Sequence, residues 1–131
     1  MAGSDDGSTE PPASYLFRVT VRLEPQPGYD ADPDTFETVL SRAADPPGED
    51  GWLFFRDTLW RGELGDAAHG RRLAEEALSV PVESVSFSEL RTTEAYLDDL
   101  KAAIAEDLGT FNAESVSEVL KKYLGSSIHV R

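Results

Sequence analysis

A chain of 131 residues has room for one domain, and with 40% hydrophobic residues it can pack a core. Its 25 acids against 12 cations leave a formal net charge of −13, which turns most of the surface against nucleic acid. The absence of cysteine excludes disulfides, thiolate zinc sites and cysteine nucleophiles, and no apolar run approaches the ~18–20 residues of a bilayer span.

Residues 1–13 carry Gly, Ser, Pro and acid with nothing apolar larger than Ala after Met1, and read as a disordered acidic tail. They show no basic-then-apolar leader, which points away from secretion. Residues 14–131 then form the single domain. Tyr15, Phe17, Val19, Val21 and Leu23 share one face and Leu16, Arg18, Thr20, Arg22 and Glu24 the other, the pattern of a half-buried strand from Tyr15 to Glu24. A loop follows through Asp32, with Pro25, Pro27 and Gly28. Asp32 and Pro33 have the chemistry of a helix start, and the spacing of Phe36, Val39, Leu40 and Ala43 predicts a buried helical stripe.

Trp52–Phe55 reads as a short apolar strand. Beyond it, Arg56-Asp57-Thr58 can turn a hairpin into Leu59–Glu63, or Asp57 can cap a helical turn. A helix is expected from Asp66 to about Leu78, a strand over Val82–Arg91, and a helix from Thr93 to about Leu108. Asn112 is the expected cap of a last helix, with Phe111 stapled onto Val116 and Gly125 at its left-handed end. A strand over Ser127–Arg131 closes the chain, Ile128 and Val130 inward. This order predicts an α+β fold, a two-layer sandwich with about four helices on a mainly antiparallel sheet of about four to five strands. With the hairpin formed, its first six elements follow the ferredoxin-like order βαββαβ, with helices and a strand added at the C-terminus.

Little here assembles into catalytic chemistry. His69 and His129 are the only imidazoles, and neither sits in a metal-site spacing. The paired acids are expected from abundance alone, and the glycines match no phosphate loop. The reading therefore has no catalytic residue, no metal and no cofactor.

Two segments stand out. Both tryptophans and two arginines fall in Trp52-Leu53-Phe54-Phe55-Arg56-Asp57-Thr58-Leu59-Trp60-Arg61. Three readings are open: a core strand, a protein-contact surface, or an aromatic–cation platform for a base or phosphate. The contact candidates are Trp52, Phe55, Arg56, Leu59, Trp60 and Arg61. On the core reading Trp60 is mostly buried and Arg61 pairs with Glu63 or Asp57. The second is the polar sheet face, where Arg18, Arg22, His129 and Arg131 would form an anion site if the first and last strands are neighbours, beside Ser84, Ser86 and Ser88.

Leu59-Trp60-Arg61, set in Asp50-Gly51-Trp52-Leu53-Phe54-Phe55-Arg56-Asp57, resembles the signature of the LWR-salt proteins, small acidic proteins of halophilic archaea. The similarity extends to Asp45-Pro46-Pro47-Gly48-Glu49-Asp50 and to Lys122-Tyr123-Leu124-Gly125-Ser126-Ser127-Ile128. It implies a salt-loving origin and carries over no activity, cofactor or catalytic residue. Composition points the same way: beyond Lys101, Lys121 and Lys122 every cation is an arginine. Acid excess with few lysines suits a salt-rich cytosol, where screening within ~3 Å at 1 M relieves self-repulsion. The expectation is a haloarchaeal cytoplasmic protein whose stability depends on high salt, a non-catalytic domain that binds a protein partner away from membranes. The alternative is a small enzyme or ligand-binding domain that recognises an anionic metabolite through arginines.

Overall fold

The computed structural model describes residues 11–22, 28 and 35–131. In chain order these form β1 (Ala13–Arg22), β2 (Thr35–Ala43), α1 (Phe54–Thr58), β3 (Leu59–Trp60), β4 (Glu63–Leu64), α2 (Ala67–Leu78), β5 (Val82–Thr92), α3 (Glu94–Ala105), a 3-10 turn (Leu108–Phe111), α4 (Val116–Tyr123) and β6 (Ile128–Val130). The fold is α+β. A four-stranded sheet runs β2-β1-β5-β6, antiparallel except for the β5–β6 pair, and β3 and β4 form a separate hairpin.

β1 owes its central place to its apolar face. Tyr15, Phe17, Val19 and Val21 are buried, and β5 sets Leu90, Phe87, Val85 and Val82 opposite them. The spacing of that second set is irregular because β5 bulges twice, at Ser88 and at Glu83. Each bulge inserts one residue and restores the inward direction of the next apolar side chain. The helices cover this inner face, bringing Phe55, Leu59, Ala74, Leu100, Ile104, Phe111, Val119 and Leu124 into one core with it.

Several elements differ from those expected. The stretch from Thr35 to Ala43 is a strand, and the expected cap at Asp32 and Pro33 lies outside the described residues. Phe36 and Leu40 stand opposite the inward Val21 and Phe17, while Val39 stands opposite Arg18 and is exposed. Helical spacing was thus coincidental. Thr35, Thr38 and Val39 are β-branched, and the edge of β1 needed hydrogen-bond partners. Without that helix the ferredoxin-like order is not formed.

Trp52–Phe55 is not a strand: Trp52 lies in a turn and Phe54-Phe55 open α1. A short apolar run fits either state. The helix lets adjacent rings reach different neighbours, Phe54 against Tyr15 and Phe55 against Phe111. The cap of α4 is Ser115, whose hydroxyl accepts from the Glu118 amide at 3.1 Å. Asn112 instead takes the left-handed conformation (φ 51°) that ends the 3-10 turn, and Phe111 stacks on Phe55 in the core. Val130 is half exposed on the edge strand β6, although Ile128 is partly buried as expected.

Of the expected tail, residues 1–10 lie outside the described residues. Ala13 is fully buried in β1, its carbonyl accepts from the Ala44 amide, and the Pro12 carbonyl accepts from the Thr93 amide. Those backbone bonds tie residues 12 and 13 to the sheet, so they belong to the domain.

Candidate functional site

Both alternatives read from residues 56–63 are realised, one after the other. The helical turn α1 ends at Thr58, and the hairpin then places Arg61-Gly62 at its tip, both at positive φ (54° and 82°). Two left-handed residues make the turn that matches the twist of paired strands, and the pairs are Leu59–Leu64 and Trp60–Glu63. Successive side chains of a strand point apart. Leu59 therefore enters the core at 2% exposure while Trp60 is left 46% exposed.

The hairpin is held at the end of α4. The last carbonyls of a helix lack partners within it. Here the Arg61 amide donates to the Lys122 carbonyl at 2.8 Å and the Gly62 amide to the Tyr123 carbonyl at 2.9 Å. Glycine is required on both sides of this contact. A Cβ on Gly62 would lie 3.1 Å from the Leu124 oxygen, and one on Gly125 (φ 61°) would lie 3.2 Å from the Arg61 oxygen.

This docking builds a small aromatic and cationic platform. The Trp60 ring stands edge-on to Tyr123, centroids 5.9 Å apart. The Arg61 guanidinium carbon lies 5.7 Å from the Trp60 centroid and the Lys122 ammonium 5.9 Å from it, within cation–π range. Lys122 also donates to the Phe111 carbonyl at 3.1 Å. Trp60, Arg61, Lys121 and Lys122 line a shallow cleft with Gly125, Ser126 and Glu118.

Trp60 is thus half exposed where burial was expected, and among the described residues Arg61 has no carboxylate partner. Asp57 is engaged by Arg56 at 2.9 Å, and Glu63 lies across the hairpin from Trp60. The other contact candidates divide. Phe55 is fully buried, Trp52 packs on Phe55 and Phe111, and Leu59 anchors the hairpin, so these three are core. Arg56 is a surface partner of Asp57. Lys121, Lys122 and Tyr123 were missed. Their signal was present: two of the three lysines stand side by side just before the helix-ending glycine.

The second candidate set is not brought together. β5 lies between β1 and β6, and β6 pairs with Leu90–Thr92, level with Ala13–Tyr15 and far along the strand from Arg22. Arg22 is bound to Glu83 at 2.6 Å, and an Arg131 guanidinium nitrogen donates to the Pro11 carbonyl at 3.3 Å. Arg18 stands beside Ser86, and His129 stands beside Arg91. Ser84 lies opposite Thr20 and Ser88 is a bulge residue.

No group of His, Asp and Glu that could hold a metal occurs among the described residues. No described helix is long and apolar enough to cross a membrane. A family model described as LWR-salt protein matches residues 11–131. No curated protein and no solved structure matches the chain.

Proposed function

The chain belongs to the LWR-salt protein family, and from that premise we propose that it is a non-catalytic protein-interaction domain whose contact face is the Trp60–Arg61 tip with the lysines of α4. The carrying observation is the half-exposed Trp60 ring beside the Arg61 guanidinium, which has no carboxylate partner among the described residues. Tryptophan and arginine are over-represented among the residues that dominate binding energy at interfaces, tryptophan through its large rigid area and arginine through its planar set of donors. Arg61 and Lys122 against the ring, with Lys121 in the same cleft, outnumber Glu118 there, a local excess of cations on a chain whose net charge is −13. Such a patch steers toward an acidic protein surface. The setting we propose is the cytoplasm of a salt-loving haloarchaeon, which the acid excess and scarce lysine support.

The test is Trp60→Ala, followed by thermal melts and by affinity capture from lysate in concentrated KCl. The expected variant melts nearly as the parent and loses about 2 kcal/mol of affinity for the captured partner. A loss of roughly 3–5 kcal/mol in folding stability instead would return Trp60 to the core. Parallel titrations with nucleotides and phosphorylated metabolites, followed by tryptophan fluorescence, test the small-ligand alternative.

A further inference from the structure

A second site lies on the other side of α1, where α2 meets the sheet. The buried Ala74 and the exposed Ala77 line it with Phe17 and Val85, and their short side chains leave a cavity of about 160 Å³ that opens to solvent past Ser41, Arg42 and Ala77. An apolar void of roughly 150 Å³ accepts a benzene ring. Its walls are almost wholly apolar, with one charged side chain, Arg42 at the mouth.

Two polar groups stand at this mouth, the exposed Arg42 and the buried Thr58. The Arg42 guanidinium lies 4.5 Å from the Phe54 ring centroid, and no carboxylate among the described residues is within ion-pair distance of it. Thr58 is only 8% exposed, and its hydroxyl has no hydrogen-bond partner among the described residues. A buried hydroxyl gains from a hydrogen-bond partner, and this one is placed to bond a polar group seated in the cavity. Arg42, Phe54, Thr58 and Leu73 also line an outer cleft, so they form the constriction between it and the cavity. That cleft carries Glu49, Asp50 and Asp57, which repel multiply charged anions, and His69.

We propose that this cavity binds a small monocarboxylate with an apolar tail of about six carbons. The tail fills the space beside Ala74 and Ala77. The carboxylate pairs with Arg42 and accepts from the Thr58 hydroxyl. This site is independent of the Trp60 platform and stands or falls without it.

Titration of the full chain with phenylacetate, followed by amide and methyl NMR shifts, tests the site, with benzyl alcohol as uncharged control and phenyl phosphate as dianion. Phenylacetate should give saturable shifts at Val85, Leu73 and Thr58, leaving the Trp60 indole unmoved. Arg42→Gln should weaken phenylacetate about tenfold and leave benzyl alcohol unchanged, the size of one charged contact. Ala77→Phe should fill the space and abolish both. Phenyl phosphate should bind more weakly than phenylacetate. Absence of saturable shifts would reduce the cavity to a packing void. Phenylacetate binding that Arg42→Gln does not change would overturn the carboxylate assignment, and this variant carries the test even if Ala77→Phe does not fold.

Discussion

Tyr96 shows how one side chain fastens a loop to a helix. It is buried on α3, and its hydroxyl donates to the Asp45 carbonyl at 2.6 Å, closing the Pro46-Pro47-Gly48 segment over the helix start. Burial, and then the charge of Asp45, push its pKa up to about 12. Tyr15, beside Asp45 in the same region, is raised further by burial. A tyrosine in the unfolded chain titrates near ~10, so between that pH and about 12 the unfolded state sheds a proton that folded Tyr96 keeps. Its contribution is complete below the lower value and is lost as pH rises through the upper one. Tyr96→Phe should cost about 1 kcal/mol at neutral pH and flatten part of the stability loss above pH ~10. Urea melts at several alkaline pH values measure both effects.

The hairpin β3–β4 separates architecture from contact within one tripeptide. Leu59 holds the core, Trp60 faces out, and Arg61 is the residue that must adopt a left-handed backbone. Asparagine is favoured at that turn position, so Arg61→Asn should keep stability within about 0.5 kcal/mol while removing the guanidinium. Melting curves together with partner capture distinguish this from a folding defect. The sequence made some of this plain and hid the rest for definite reasons. The caps Asp66 and Thr93, each followed by periodic apolar residues, located α2 and α3, and alternation located β1. The bulges blurred β5, because Val82, Val85, Phe87 and Leu90 do not keep a period of two. β2 was hidden because its apolar residues fall on both faces of an edge strand. At the site, composition singled out Trp60 and Arg61. Only the fold could bring Lys121 and Lys122 to them, since that contact depends on where α4 ends.

At the scale of the molecule, charge is the dominant variable. Among the described residues three ion pairs form: Arg22–Glu83, Arg56–Asp57 and Arg91–Glu89. All involve exposed or partly exposed groups, and such pairs contribute little in water. Three further cations are gathered at the Trp60 tip, leaving most carboxylates to face one another across a net charge of −13. Self-repulsion then opposes folding until salt screens it. We expect the melting temperature to climb from dilute buffer toward ~1 M KCl, where the screening length is ~3 Å. A melt that does not move with KCl would contradict a salt-dependent fold. The same titration should weaken partner capture at the Trp60 tip less than it would a purely ionic contact, because the ring contributes by burial.

A helix whose end is closed by a distant turn cannot be inherited by itself. Arg61-Gly62 and Leu124-Gly125 touch through backbone atoms, each glycine leaving space that the other segment's carbonyl occupies. A mutation enlarging either glycine must be answered by a shift in the other segment, so drift at one is constrained by the other. Among relatives the two segments should therefore change together or not at all, a coupled pair of sites whose shared history would be visible before any partner is known.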